Sequence, residues 1–224
     1  HLLMAEHKTN CFKCIKNGAC ELQAMAREYG IDVPNFKSSH GDVQHEPFDA
    51  HPFLSYDPGL CIQCQRCIST CAKATGRHAL SLERNGARVY VKVPFGEGWE
   101  NSLCESCGNC AQACPTGALT IKRRKDYREW EVKKVRTTCP HCATGCQMDL
   151  YVKDGKIVDV QGADGPSNHN LLCVKGRSGS FDFVDCDARI RYPLIKNKET
   201  GEFERATWDE ALNLVASKFS EIRN

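Results

Sequence analysis

No run of 18 apolar residues occurs in this sequence, so no part of it reads as a membrane-spanning helix. Aromatic residues are scarce, at 8% of 224 positions, and aliphatic content is modest, so something other than a large apolar core must hold the chain together. Catalytic signatures are missing as well. There is no H-E-x-x-H, no Walker loop, no G-x-G-x-x-G and no catalytic triad, which leaves neither hydrolysis nor direct nicotinamide binding indicated. The formal charge of +2 argues neither for nor against nucleic acid as a partner. The sequence opens HLLMAEH rather than on Met, so further residues upstream are expected and the lack of a leader peptide carries no weight.

Cysteine, by contrast, is abundant, with 16 residues spread along most of the length. They fall in tight C-x-x-C runs whose members sit too close to suit separate disulfide bridges, so metal ligation is the better reading. Metal-bound thiolates favour a reducing compartment, and a cytoplasmic location is expected.

The spacing predicts an α+β chain of small cluster-stapled modules, in three blocks: 1–50, 51–130 and 131–224. In the first, Cys11, Cys14 and Cys20 lead into a short helix from Glu21 to Tyr29, stopped by Gly30. Residues Ile31 to Pro58 have no sustained period and read as a linker wrapping over a neighbour. In the second block C-x2-C-x2-C-x3-C occurs twice, at Cys61, Cys64, Cys67, Cys71 and at Cys104, Cys107, Cys110, Cys114, implying a pseudo-symmetric pair. Asn85-Gly86 between the copies predicts a hairpin turn, and a short apolar stretch runs from Ala118 to Ile121. The third block holds Cys139, Cys142, Cys146 and, after a long gap, Cys173. Inside that gap MDLYVKDGKIVDV predicts a second hairpin turning at Asp154-Gly155. Thr207 to Glu210 reads as a capping box opening a helix with Leu212, Val215, Phe219 and Ile222 on one face, and further sequence is expected beyond Asn224.

Zinc usually takes two cysteine pairs, whereas C-x2-C-x2-C-x3-C puts three thiolates on one tight loop and sends the fourth to a neighbouring cluster. The expected ligand sets are therefore crossed: Cys61, Cys64, Cys67 with Cys114, and Cys104, Cys107, Cys110 with Cys71. Pro115 completes the bacterial ferredoxin signature in the second copy, and Ala72 departs from it in the first. In the first block a fourth ligand is needed. His7 gives H-x3-C-x2-C-x5-C, with His1, His40, His45 and His51 as competitors that spacing alone leaves open.

The segment HKTNCFKCIKNGACELQ resembles the motif of one histidine and three cysteines shared by the large subunit of complex I, iron-only hydrogenases and NAD-linked formate dehydrogenases. The resemblance implies His7 as ligand. TCPHCATGCQMDL with LLCVKGR resembles the 4Fe-4S motif of molybdopterin oxidoreductases, implying Cys139, Cys142, Cys146 and Cys173 as ligands, His141 as a bystander, and Lys175 as the lysine between cluster and pterin. Fifteen cysteines with His7 then fill four 4Fe-4S clusters, leaving Cys186 over. Cluster charge makes the formal +2 an overstatement, and the basic run Lys122 to Arg136 reads as a solvated face or linker, with no nucleic-acid role.

Iron-only hydrogenases follow the same modules with a hydrogen-activating domain, and complex I lacks the duplicated ferredoxin block; the alternatives are a relay module of a hydrogenase or complex I-like enzyme, or a stand-alone multicluster electron carrier. The whole is similar to the catalytic subunit of formate dehydrogenase. That resemblance implies a Mo- or W-bis-pterin guanine dinucleotide with its metal ligand beyond Asn224, and flavin- or NAD-binding iron–sulfur subunits, ferredoxin or a hydrogenase-type complex as partners.

Overall fold

The computed structural model describes residues 1–8, 10–38, 51–85, 88–92, 98–122, 124, 127–179, 181 and 183–223. His40, His45 and the Gly86 of the first expected hairpin turn lie outside these. His1–Ser180 form one compact unit and Phe181–Asn224 another. No helix among the described residues is long and apolar enough to cross a membrane.

The first unit opens with α1 (Leu2–Glu6), the loop carrying Cys11, Cys14 and Cys20, and α2 (Glu21–Glu28). The expected helix is one residue shorter than predicted, with Tyr29 as its cap. Gly30 follows at φ +64°, where Gly30 N–H donates to Arg27 O and Ile31 N–H to Ala26 O, satisfying carbonyls that the helix end would leave bare.

Residues 51–122 form a small α+β body. Strand β1 (Leu54–Tyr56) pairs antiparallel with β4 (Leu119–Ile121), in register Leu54 to Ile121 and Tyr56 to Leu119. Between them lie α3 (Arg66–Ser69), which runs on into a π-helical turn over Thr70–Ala74, the hairpin β2 (Ser81–Asn85) and β3 (Arg88–Lys92), and α4 (Asn109–Ala113). The strand β1 corrects the expectation that 31–58 is linker throughout. Three residues are too few to display alternation; Leu54 and Tyr56 are recognisable as inward-facing only against the partner strand. The core joins Leu54, Tyr56, Leu80, Val91, Trp99 and Leu119 to the buried Cys67 and Cys114, with Cys61, Cys71, Cys104 and Cys110 packed at its edge. The cysteines are thus part of the core rather than staples added to it.

Strands β5 (Lys133–Thr138), β6 (Gln147–Lys153) and β7 (Lys156–Gly162) make an antiparallel sheet in that order, and α5 (Val174–Ser178) follows. The β6–β7 turn sits at Asp154 (φ +50°) and Gly155 (φ +74°), the paired positive φ that a two-residue type I′ turn requires. The basic run Lys122–Arg136 is not a plain linker. It contains most of β5, and Tyr127 within it is only 1% exposed, its hydroxyl donating to Asp159 at 2.7 Å beneath the Arg124 guanidinium.

In the second unit β8 (Leu194–Lys196) and β9 (Phe203–Arg205) form a hairpin, and α6 spans Trp208–Arg223. Its capping box is formed: Thr207 N–H donates to Glu210 Oε2 at 2.7 Å and Glu210 N–H to Thr207 Oγ1 at 3.2 Å.

Candidate metal centres

The duplicated run is repeated in backbone geometry. Gln63 and Ser106 both sit at φ +56°, and Gln65 and Gly108 at φ +60° and +70°, so each loop coils tightly ahead of its helix. That coiling turns amides toward sulfur: Gln63 N–H donates to Cys61 Sγ and Ser106 N–H to Cys104 Sγ, each at 3.4 Å. Two cavities result. One is lined by Cys61, Cys64, Cys67 and Cys114. The other is lined by Cys71, Cys104, Cys107 and Cys110. Each cavity takes three cysteines from one run and the last cysteine of the other, the crossed grouping that the spacing predicts.

The thiols raise one another's cost of ionising. Burial pushes Cys67 up to about 12, with Cys114 and Cys61 adding to it. Burial also raises Cys110, with Cys107, Cys67, Cys104 and Cys71 contributing in that order. Thiolates this close and this dry need cationic compensation, which is what a metal core supplies. Among the described residues no three His, Cys, Asp or Glu side chains are placed to hold a single metal ion. The cysteines line the wall of a shared space instead. Four sulfur donors per cavity, with N–H groups directed at them, fit a thiolate-ligated iron–sulfur cluster.

Two aromatic residues add donors that sequence reading missed. Tyr56 Oη accepts from Val91 N–H at 3.3 Å and bonds the Cys61 thiol. His51, a competitor for the first-block site in the sequence, belongs to the second cavity. Its Nδ1 accepts from Phe53 and Leu54 N–H at 3.0 Å each, which leaves the proton on Nε2, 3.5 Å from Cys104 Sγ. Trp99 stands edge-on to the ring at 4.8 Å and fixes its plane.

In the first block Cys11, Cys14 and Cys20 are brought together; burial raises the Cys20 thiol, and both other thiols act on it. Arg128 donates to Cys14 O and Phe12 O and clamps this loop from the basic run. His7 Nδ1 is buried and has no hydrogen-bond partner among the described residues. Burial holds the ring below the ordinary imidazole value, opposed by the Leu60 carbonyl and Asp57. One bare buried nitrogen, with a backbone carbonyl acting on the ring, is the form a metal-ligating imidazole takes.

Cys139, Cys142, Cys146 and Cys173 also gather. Burial raises Cys146, followed by the effects of Cys139, Cys142 and Cys173. Asn168 organises the return of the chain: its side chain accepts from Gln147 N–H and donates to Gln147 O, Ala163 O and Leu171 O. Cys142, Cys173 and Lys175 are exposed. Hydrogen bonding with Thr144 lowers the Cys142 thiol, and the Lys175 ammonium lowers it further, which puts Lys175 within electrostatic reach of this group. Cys186 lies in the second unit, exposed.

Four family models match the chain in succession. Residues 1–34 match the NADH-ubiquinone oxidoreductase-G iron–sulfur binding region, and 52–120 the ferredoxin-like domain of NADH-quinone oxidoreductase subunit 3. Residues 132–182 match the molybdopterin oxidoreductase Fe4S4 domain and 189–224 the molybdopterin oxidoreductase model. A Rhizobium meliloti protein, named as a second G-type component of NADH-quinone oxidoreductase, is 35% identical, covering 94% of this chain and 24% of that protein. A Bacillus subtilis protein named as an oxidoreductase is 30% identical over 99% of this chain and 26% of its own length. A Staphylococcus haemolyticus protein provisionally named a formate dehydrogenase is 28% identical over 99% and 26%. The chain therefore spans about a quarter of the length of the curated relatives it matches. A solved NAD+-reducing nickel–iron hydrogenase is 30% identical, with TM-score 0.48, over 54% of this chain and 51% of that one. In chain order, then, the protein carries iron–sulfur binding regions of the G-type NADH-quinone oxidoreductase and molybdopterin oxidoreductase kind.

Proposed function

We propose that this chain relays electrons among four 4Fe-4S clusters, between the Mo- or W-bis-pterin site of a formate dehydrogenase and an acceptor such as a flavin-bearing iron–sulfur subunit or ferredoxin. When bound, such clusters supply one-electron redox centres. In this reading 1–50 is the histidine-ligated module, 51–130 the ferredoxin-like domain and 131–224 the start of the molybdopterin-oxidoreductase part. His7, Cys11, Cys14 and Cys20 hold one cluster, the two crossed cysteine sets hold two more, and Cys139, Cys142, Cys146 and Cys173 hold the last.

The observation that carries the proposal is the order of the four groups in space. Arg177, four residues past Cys173, donates to Cys107 O, which joins the third-block group to the Cys71 cavity. Cys67, of one cavity, acts on Cys110 of the other. Glu21 N–H donates to Pro115 O, and the Cys14 sulfur lies 3.0 Å from where a Cβ on Gly117 would stand, so the first-block loop abuts the Cys114 side. Each group thus adjoins the next, an order that suits transfer between one end at Lys175 and another at His7. Lys175, charged and beside Cys142, suits a bridging role toward a pterin.

The Rhizobium relative, aligned over 94% of the chain, favours a second reading in which the same relay serves a complex I-type enzyme. Metal and sulfide analysis of the iron-loaded chain should give about 16 iron per chain, and zinc in their place would sink both readings. Anaerobic addition of formate to the full-length protein should bleach the cluster absorbance. Bleaching by NADH in the presence of the flavin-bearing partner subunit, but not by formate, would select the complex I-type reading.

A further inference from the structure

We propose that Arg177 makes the Cys71, Cys104, Cys107 and Cys110 site the more readily reduced of the ferredoxin pair and couples it to the Cys139, Cys142, Cys146 and Cys173 site. The inference rests on the four-cluster reading above. Arg177 is 5% exposed and lies where the two sites meet. Its Nε donates to Cys107 O at 2.7 Å, and its Nη2 to Asn109 Oδ1 at 2.8 Å and Gln112 Oε1 at 2.7 Å. All three acceptors are neutral. Nη1 is buried without a hydrogen-bond partner among the described residues. Asp159, the carboxylate whose field reaches the guanidinium, is already engaged by Tyr127 and Gln161 and stands 4.0 Å from Arg124. A guanidinium buried on neutral acceptors is costly unless negative charge lies close by. The thiolate-ligated clusters are that charge: Cys107, Cys110 and Cys173 all act on Arg177.

The loop is shaped for this side chain. Gly108 sits at φ +70°, and a Cβ there would fall 2.5 Å from Arg177 Cδ and 3.1 Å from Nε. The matching position in the first run is Gln65, at φ +60° with a side chain present. The cation of the first run is Arg66, which is half exposed and bonded through Nη1 to both oxygens of Glu21 at 2.6 and 2.7 Å. Its charge is offset and screened. The two halves are therefore alike in backbone and in the leading sulfur-directed amide of each loop, the second cavity also having Ala79 N–H on Cys71 Sγ and His51 Nε2 beside Cys104, and they are unlike in charge. Reduction adds an electron to a site already negative, and a buried cation favours the reduced form in a low-dielectric setting. Arg177 consequently raises the potential of both sites it touches and leaves the Cys61, Cys64, Cys67 and Cys114 site unaffected.

The test is an EPR-monitored redox titration of the iron-loaded chain and of Arg177→Met, with iron content measured in parallel. The expected result is a shift to more negative potential for one signal of the ferredoxin pair and for the third-block signal, while the other ferredoxin signal stays in place. Gln112→Glu is a second variant that keeps the guanidinium and sets a carboxylate at the atom now 2.7 Å from Nη2. It should shift the same two signals in the same direction, and it decides the question if Arg177→Met fails to retain iron. Unchanged potentials, or equal shifts at every cluster, in an iron-replete variant overturn the inference alone. A wild-type chain that holds no set of four clusters overturns the four-cluster reading and the inference together.

Discussion

Replacing Asn168 with Ala should release Cys173 from the rest of its group without touching a thiol. Asn168 is 6% exposed and makes four side-chain hydrogen bonds, between 2.9 and 3.1 Å, that bind the loop before Cys173 to the start of β6, next to Cys146. They are not equal in value. Gln147 O also accepts from Ala163 N–H at 3.0 Å, so losing the Asn168 donor leaves it satisfied and costs little. Gln147 N–H and the carbonyls of Ala163 and Leu171 lose the bond that Asn168 gives them. At about 1 kcal/mol net for each such bond, the substitution removes roughly 3 kcal/mol from the closed loop. That is a rise of about 10²-fold in the fraction of time the loop is open. Hydrogen–deuterium exchange by mass spectrometry reads it directly. The peptides covering 164–173 and the Gln147 amide should exchange about 10²-fold faster, while peptides from the ferredoxin-like body hold their protection. In the iron-loaded chain a chelator should strip about a quarter of the iron first, one cluster of four. Unchanged exchange across 164–173, or uniform iron loss from all sites, would refute the view that this one side chain closes the third group.

Three further outcomes follow from the geometry. His7→Ala should alter the EPR signal of a single cluster and leave the ferredoxin pair intact, and an unaltered spectrum with full iron content would remove His7 from the ligand set. Lys175→Ala should preserve iron content while slowing reduction of the clusters by formate in the full-length protein; an unslowed rate would mean that the ammonium has no bridging role. Gly162→Ala places a Cβ 2.1 Å from Asn170 O, a backbone atom with little room to move, and should cost about 2 kcal/mol through overpacking. A thermal melt should then show a Tm lower by about 4–8 °C, and an unchanged Tm would mean that the β7 end and the 164–170 loop are not in rigid contact.

Features carried by neighbouring residues were legible in the sequence. The Asp154-Gly155 hairpin, the Thr207–Glu210 capping box and the Gly30 helix stop each depend on adjacent or near-adjacent positions, and each is formed. The crossed grouping of the ferredoxin cysteines was legible for a related reason, because a tight loop can present only three of its sulfurs to one centre. What escaped were single polar side chains whose partners lie far along the chain. Asn109 clasps Leu172 through both its Nδ2 and Oδ1 across 63 positions, and His51 reaches Cys104 across 53. A lone Asn or His of this kind has no period and no spacing to betray it. Arg128 was hidden differently, in a run of charges that reads as solvent-facing until Phe12 O and Cys14 O are found beneath it.

The exchange of Cys71 and Cys114 between the two cavities also bears on how the chain is made. Synthesis proceeds from the first run to the second, so a ribosome that has delivered Cys61, Cys64 and Cys67 must still add every residue through Cys114 before that cavity has its last wall. Cys71, already made, waits in turn for Cys104, Cys107 and Cys110. Neither cavity has its last wall before the second run is made, and a cut between the runs would leave each fragment holding one sulfur that belongs to the other. In the four-cluster reading, loading of either site therefore waits on synthesis of the second run.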